Sequence, residues 1–585
     1  MNIKNYIKTA VLALALGMGA TSCGDFLDKP SEDQYNNDNF YANDAQCYQG
    51  VNYIYNSPWY DFQRGFIKVG EVMSGNMYWG SSPYLLFNIQ GTDEDLRNMS
   101  YSLWAVIGHA SQVYDNVGRS SGPSQAVKEA VQGECLTLKA LAYFFLVRTF
   151  GDVPIVHNNS QDLASGTYND KYKVDKADVY EYIIMTLEKA MELLPKSADA
   201  GRIDYYCAEG LLSKVYLTKA GLGQQGSRNQ ADLDAAAQYA KDVIDNSGRS
   251  LMPVYSDIFR IANNKCPESL IAWRWTVNGT NWTRQNTLQS DLAPVGFDEN
   301  GDCWGGWGGP SVDLQDAFGV SPLDDPSGRI DIDTRRKACL TLPGDVYEYF
   351  WQDKGGWDPI KFSYDPVYGK GGPGEWQCGT GSYNVKHLFG NNHDHEIGCG
   401  VPAQRMANSL ATHILRLADV YLIYAEAVLG NNPSTSDANA LKAFNAVRSR
   451  AIPTATPKTS ITFDDVWKER RLELAGEGDR WYDYVRRSYY DMQACIDEIK
   501  AQRRNTYWNL GAIYKYWFEN GVWDISLAET TAGTGAGSIV YDDQTAAPNV
   551  TASSFSIPFP NEDVVFNKHL MEDPIHVDVR SEYSY

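Results

Sequence analysis

The chain has 585 residues, and 73 acidic against 51 basic side chains give it a formal net charge of −22. This charge argues against binding nucleic acid or another polyanion, because such affinity depends mainly on neutralising phosphates, and it favours a neutral ligand. Aromatic residues make up 13% of the chain, with 16 Trp and 38 Tyr, and rings that stay exposed usually contact a ligand or partner.

The first 22 residues have the pattern of a signal peptide. Lys4 and Lys8 form a positive start, and the apolar segment 10–20 is too short to span a bilayer. Cys23 follows small residues, which resembles the lipobox of bacterial lipoproteins. We therefore expect lipidation at Cys23 and a polar tether over 23–35; the alternative is a cleaved secreted protein with an incidental Cys. Lipid chains would attach the protein to a membrane without spanning it.

Short helices and loops alternate from residue 36 to residue 116, and helical periodicity dominates from there to about residue 252. Apolar stripes predict helices over 102–117, 124–149, 176–195, 201–221 and 233–247. Helix pairs that recur at roughly 35 residues are typical of helix-turn-helix repeats. Trp104 lies at helical spacing within the first of these stripes, so we expect it to belong to the core.

From about residue 253 to residue 400 the helical periodicity disappears, and Gly, Pro, Trp and Asp become dense. A loop-rich insertion of this size within a helical protein is usually functional. His387, His393 and His395 with Glu396 have a composition that could bind a metal, but a solvated polar turn is the preferred interpretation. Residues 298–302 begin like a calcium loop, yet Cys303 replaces the glycine that an EF-hand needs. We assign no metal and no cofactor.

Three helical units follow between His413 and Arg487. Gly430 should end the first, Asp437 should cap the second, and Thr462 with Asp465 resembles a capping box at the third. Arg470 falls on the buried stripe of the third helix. A buried guanidinium needs a partner, and the expected candidates are Glu473, Glu477 and Asp479. Trp467 is expected in the core.

The phrases LRLADVYLIYAEA, FNAVRSRA and ERRLELAGEGDRWYDYVRR resemble the SusD/RagB family of surface-exposed, nutrient-binding outer-membrane lipoproteins. CGDFLDKP, GECLTLKALAYFFLVRTFGDVPIV and FSIPFPNEDVVFNKHL are similar to further family segments. The resemblance implies an all-α, SusD-like fold, with tetratricopeptide-type helix pairs as scaffold, long loop-rich insertions and minor β structure. It implies one domain over 36–585, with a scaffold at about 36–252 and 401–500, a ligand-side insertion at about 253–400 and a closing segment at 501–585.

The resemblance also implies a partner, because SusD-like proteins deliver captured ligand to a SusC-like TonB-dependent transporter in the outer membrane. We expect the chain to face the cell exterior and to bind an oligosaccharide or polysaccharide, since pyranose rings offer apolar faces to exposed Trp and Tyr. A RagB-like oligopeptide-binding protein is the serious alternative. An enzyme acting on glycans is the weaker one; neither GxSxG nor HExxH occurs in the chain.

The expected ligand site combines two loop regions that converge on the ligand face in the SusD family. One is the glycine-flanked loop near residue 78, and the other is the start of the insertion. Glycines 305, 306, 308 and 309 are expected to give the backbone conformations that hold nearby rings outward. The predicted ligand-binding residues are Asn76, Tyr78, Trp79, Trp275, Trp282, Asp302, Trp304 and Trp307.

Overall fold

The computed structural model describes residues 40–80, 82–277, 282–406, 408–507, 510–527 and 548–585. The predicted signal peptide, Cys23 and the tether lie outside these residues. The described chain is mostly helical with two small sheets, which confirms the predicted all-α, SusD-like class. The predicted division of the chain into scaffold, insertion and closing segment remains a prediction.

The first half of the scaffold consists of helices that pack against their neighbours in sequence. The strongest contacts join α4 with α5, α5 with α7, and α8 with α9. These α-helices are α1 (Asp44–Asn52), α2 (Gln63–Ile67), α3 (Pro83–Leu86), α4 (Glu94–Arg119), α5 (Gln125–Phe150), α6 (Asn159–Ser165), α7 (Lys176–Leu193), α8 (Tyr205–Lys219) and α9 (Gln230–Asn246). Helix α4 begins eight residues before its predicted start, because Asp93 caps it by accepting a hydrogen bond from the Leu96 N–H.

The insertion contains short helices and two of the four strands in the described residues, and each of these strands pairs with a strand outside the insertion. Strand β1 (Met77–Trp79) pairs with β3 (Gly308–Pro310), and β2 (Ser269–Trp273) pairs with β4 (Thr412–Arg416), both antiparallel. The helices of this part are α10 (Leu288–Leu292), α11 (Val312–Phe318), α12 (Arg335–Cys339), α13 (Pro359–Tyr364) and α14 (Asn392–Cys399). Each has eight residues or fewer, in keeping with the missing helical periodicity.

The remaining helices follow the insertion in the chain. The caps predicted for two of them are confirmed. Asp437 caps α16, and Thr462 with Asp465 forms a capping box at α17. These helices are α15 (Leu417–Leu429), α16 (Ala438–Ala451), α17 (Phe463–Glu473), α18 (Arg480–Ala501), α19 (Leu510–Asn520), α20 (Asn561–Phe566) and α21 (Val579–Glu582).

Helix α5 lies at the centre of the main apolar core. Among the described residues it is the one helix long and apolar enough to span a bilayer, and 94% of its most apolar window is buried inside the protein. It is therefore a core helix. Trp467 is buried as predicted, whereas Trp104 is half-buried and lies at the edge of the core.

A network of buried ion pairs connects the scaffold to the insertion. Arg416, fully buried at the end of β4, is bonded through Nε to Glu477 at 2.7 Å and through Nη1 to Glu473 at 3.0 Å and Glu268 at 2.5 Å. Lys386 of the insertion also contacts Glu477, at 2.7 Å. Buried charges are tolerated only when they are paired in this way.

Arg470 lies in a neighbouring part of the network, and of its three candidate partners Asp479 lies within ion-pair distance whereas Glu473 and Glu477 do not pair with it. Its guanidinium contacts Asp419 at 2.6 Å and Asp483 at 3.1 Å, with Asp479 farther away at 3.6 Å. Glu473 and Glu477 instead contact Arg416. The stripe placed Arg470 in the core correctly, but only the tertiary packing of α15 and α18 decides which carboxylates reach it.

We expect Glu477→Gln to lower the free energy of unfolding by about 3–5 kcal/mol at pH 7, because it leaves the buried Lys386 without its carboxylate partner and removes one of the three carboxylates that contact Arg416. Burial alone would raise the pKa of the Glu477 carboxyl, but Arg416 and Lys386 outweigh this effect and lower the pKa to about 2. The stabilisation by Glu477 is therefore complete above its unfolded pKa of about 4.5 and is lost as pH falls toward 2.

Urea denaturation of both proteins at pH 7 and pH 3.5 measures this difference. The deficit should be smaller at pH 3.5, and an equal deficit at both pH values would contradict the ionic account. Glu519→Gln is the matched control, since Glu519 is an exposed partner of Lys515 and should contribute about 1 kcal/mol or less.

Candidate functional site

The pairing of β1 with β3 brings together the two loop regions that were predicted to form the site. Tyr78 lies opposite Gly309, and Trp79 lies opposite Gly308. Trp304 and Trp307 immediately precede β3, with 46% and 59% of their surface exposed, and Trp79 is half-exposed. Three of the predicted indole rings therefore belong to one surface, which we term the aromatic surface: Trp79, Trp304 and Trp307.

Glycines 305, 306, 308 and 309 were predicted to adopt backbone conformations that larger residues resist, and this prediction was wrong. They matter instead because they allow close packing. None of the four has a positive φ. A Cβ on Gly305 would lie 2.0 Å from the backbone oxygen of Asp291, and a Cβ on Gly308 would lie 3.3 Å from Cε3 of Trp79. The missing side chains let the loop lie against α10 and let the Trp79 ring lie against the backbone of β3.

Trp304 is held at the surface by its polar edge. Its indole N–H donates to Oδ1 of Asp291 at 3.0 Å, and its backbone N–H donates to the Ser290 oxygen at 3.0 Å. Asp291 is buried, and burial raises the pKa of its carboxyl. The contact fixes the orientation of the ring while its face remains accessible to solvent.

A row of paired charged side chains runs from Trp79 to Trp304 beside the aromatic surface. The Lys68 ammonium lies 5.7 Å from the centre of the Trp79 ring and pairs with Asp95. Arg64 lies between Asp95 and Asp291, at 3.5 Å from a carboxylate oxygen of each. These charges are mutually paired, so the surface combines apolar ring faces with hydrogen-bonding groups and little unpaired charge.

Trp282 and Asp302 each contact a residue of the loop at 405–406. Arg405 stacks over the Trp282 ring at 5.2 Å, and the Met406 N–H faces a carboxylate oxygen of Asp302 at 3.4 Å. Trp282 also lies within hydrogen-bonding reach of Tyr60, whose pKa burial raises to about 12. Both predicted residues are partly exposed and remain candidates for ligand contact.

Asn76 and Trp275 are not exposed, contrary to expectation. Asn76 is 1% exposed, its amide donates to Glu71 at 3.0 Å, and its oxygen accepts from Arg471 at 2.8 Å. Trp275 is 4% exposed, and its indole N–H donates to the Thr412 hydroxyl at 3.0 Å. Both side chains already have buried partners, so they support the site from inside the protein.

Sequence reasoning missed the polar residues that lie beside the rings: Tyr60, Arg64, Lys68, Asp95 and Asp291. They come from the N-terminal scaffold and from α10, and no motif distinguishes them from other surface charges. The spacing of Arg64 and Lys68 by four residues gave a weak signal, because such residues share one helical face.

The histidines of the insertion do not converge on a metal site. His387 and His395 are buried, each bonds a backbone oxygen, and burial lowers the pKa of each to about 4. Within the described ranges, one group of three potential metal ligands lies close together, formed by Asp175, Asp178 and the exposed His576. None of these residues contacts the aromatic surface.

Comparison with known proteins identifies the family. Residues 380–530 match the family described as "SusD family", and residues 24–217 match "Starch-binding associating with outer membrane". A SusD-like protein of Bacteroides ovatus is 32% identical over 579 residues, which cover 97% of this chain and 98% of that protein. The chain belongs to the SusD family.

Solved structures of SusD-like proteins share the fold. One crystal structure contains a protein with bound xylogluco-oligosaccharide that is 30% identical to this chain in sequence. The two structures superpose with a TM-score of 0.75 over 91% of this chain and 99% of that protein. A laminarin-binding SusD-like protein is 23% identical, has a TM-score of 0.58, and matches 78% of this chain and 94% of its own. The second likeness concerns the fold alone.

We expect Gly305→Ala to destabilise the protein by about 1–3 kcal/mol, because its Cβ would overlap the Asp291 backbone and displace the loop that carries Trp304. Thermal unfolding measures the effect. Gly328→Ala is the control, since the nearest atom to its Cβ would be the Asp325 oxygen at 3.9 Å. Equal midpoints for the two variants would show that the close packing at Gly305 is not required.

Proposed function

We propose that this SusD family protein is a cell-surface glycan-binding lipoprotein. The observation that carries the proposal is the aromatic surface, on which Trp79, Trp304 and Trp307 lie together on paired strands and the loop before β3. Aromatic rings are suited to the apolar faces of pyranose rings, while nearby polar side chains can exchange hydrogen bonds with sugar hydroxyls.

Two further findings support a neutral saccharide as the ligand. Lys68, Arg64, Asp95 and Asp291 pair with one another, so a charged ligand would have to break these contacts. The relative crystallised with xylogluco-oligosaccharide is 30% identical over nearly the whole chain. The protein thus acts as a binding protein rather than as a hydrolase, and a RagB-like role in peptide capture is the outcome to be tested against it.

The proposal includes the cellular location of the protein and its transporter partner. The lipobox-like segment before Cys23 supports a lipid anchor, and family membership supports an outer-membrane location facing the cell exterior. In this arrangement the protein captures oligosaccharide or polysaccharide and delivers it to a SusC-like TonB-dependent transporter. The net charge of −22 is in keeping with a neutral cargo.

We expect Trp304→Ala and Trp307→Ala each to weaken glycan binding by about 2 kcal/mol or more, because they remove exposed ring faces. Trp79→Ala and Trp282→Ala should act in the same direction. A glycan array beside a peptide mixture identifies the ligand, and calorimetry measures the affinity. The thermal midpoint should change little for Trp307→Ala, because 59% of the surface of Trp307 is exposed.

Tyr516→Ala is the matched control, because Tyr516 is an exposed ring on α19 without a contact to the aromatic surface. Unchanged affinity in all four Trp variants would show that the ligand binds elsewhere. Capture of peptides with no glycan bound would favour the RagB-like alternative.

We expect Cys23→Ser to release the protein from the outer membrane into the periplasm or the medium, because the predicted lipid on Cys23 is the proposed anchor. Cell fractionation with immunoblotting measures the distribution, in strains with and without the transporter. Wild-type amounts of the variant in the outer membrane of the strain without the transporter would refute the anchor.

A further inference from the structure

A cavity of about 450 Å³ lies between α4 and α20, apart from the aromatic surface. Its volume falls within the range of about 300–1,000 Å³ that is usual for ligand sites. Asp95, which belongs to the chain of charges beside Trp79, and Trp104, which lines the cavity, are nine residues apart on α4. At about 100° per residue they point to opposite sides of the helix. The cavity is therefore a separate site.

Aromatic rings line this cavity and remain accessible. Tyr101 and Phe566 are 66% and 69% exposed, and they belong to α4 and α20 respectively. Trp104 and Tyr168 are half-buried beside them. Rings from separate segments that share one cavity offer several apolar faces to a single ligand.

Several polar groups of the cavity lack hydrogen-bond partners among the described residues. The Trp104 indole N–H, the Tyr168 hydroxyl and the Asn98 amide make no hydrogen bond to any residue that the structure describes. Asp563 accepts from the Ser100 hydroxyl through Oδ2 at 2.5 Å, which leaves its Oδ1 available. Donors and acceptors are thus present together, as a ligand with several hydroxyls requires.

The charges around the cavity argue against an anionic ligand. Arg97, the one cation among the described lining residues, is paired with Glu562 at 3.3 Å and with Glu94 at 3.5 Å. Glu562 and Asp563 both line the cavity. An anion would meet carboxylates without a free positive partner, whereas a neutral polyol could donate hydrogen bonds to them.

We propose that this cavity is a second carbohydrate-binding site that takes a neutral saccharide. The inference rests on the proposed glycan-binding function and adds a site to it. With two sites on one protein, a long polysaccharide can engage both at once, and its affinity then exceeds that of a short oligosaccharide through effective concentration. The cavity thus helps to retain a polysaccharide that is also bound at the aromatic surface.

The test uses variants of the full-length protein on each site. Trp79→Ala/Trp304→Ala/Trp307→Ala disables the aromatic surface, and Tyr101→Ala/Phe566→Ala removes the two most exposed rings of the cavity. Val565→Ala is the matched control, because Val565 is 82% exposed on the same helix and does not line the cavity. Thermal unfolding confirms that each variant is folded. The probes are xylogluco-oligosaccharide, laminarin oligosaccharide and the corresponding polysaccharides.

We expect the aromatic-surface variant to retain weak oligosaccharide binding, seen by saturation-transfer NMR, and the added cavity substitutions to remove it. On the otherwise wild-type protein, Tyr101→Ala/Phe566→Ala should weaken polysaccharide binding about tenfold or more while Val565→Ala has no effect. If oligosaccharide binds wild type but the aromatic-surface variant binds none, and the cavity variant keeps full polysaccharide affinity, only the second site is refuted. If no probe binds wild type, the proposed function fails and the second site fails with it.

Discussion

Pairing of buried charges is the constraint on which the rest of this structure depends. Arg416 at the end of β4 shares Glu473 and Glu477 with cations from other segments, and Lys386 joins from the insertion. Removing one member would leave its partners charged and buried, which costs more than the pair itself contributes. The network therefore ties the loop-rich insertion to the helical scaffold, although the insertion has little regular structure of its own.

Hydrogen bonds from or to charged side chains position the aromatic surface from beneath. Glu71, just before β1, accepts from the Gly478 N–H at 2.7 Å, and Arg471 of α17 donates to Asn76 at 2.8 Å. These bonds attach β1 to the segment that contains Glu477, so Trp79 is held against β3. A surface supported in this way needs little reordering when a ligand binds, which preserves affinity.

Helix α4 separates two surfaces with similar chemistry. Its first turn carries Asp95 toward the aromatic surface, while Tyr101 and Trp104 line the cavity against α20. Both surfaces combine exposed rings with polar groups and paired charges, and both suit a neutral, hydroxylated ligand. Two such sites on one helix would let a polysaccharide contact the protein over a longer path than either site offers alone.

The sequence determined the long scaffold helices, the caps of α16 and α17, the loop-rich character of the insertion and the family, because these depend on local periodicity and short motifs. It also indicated that Trp79, Trp304 and Trp307 are at least partly exposed, since glycines flank all three. Tertiary structure decided the partners of Arg470, the burial of Asn76 and Trp275, and the half-exposure of Trp104. A side chain's burial and its ionic partner depend on segments distant in sequence, and no local pattern encodes which of them will meet.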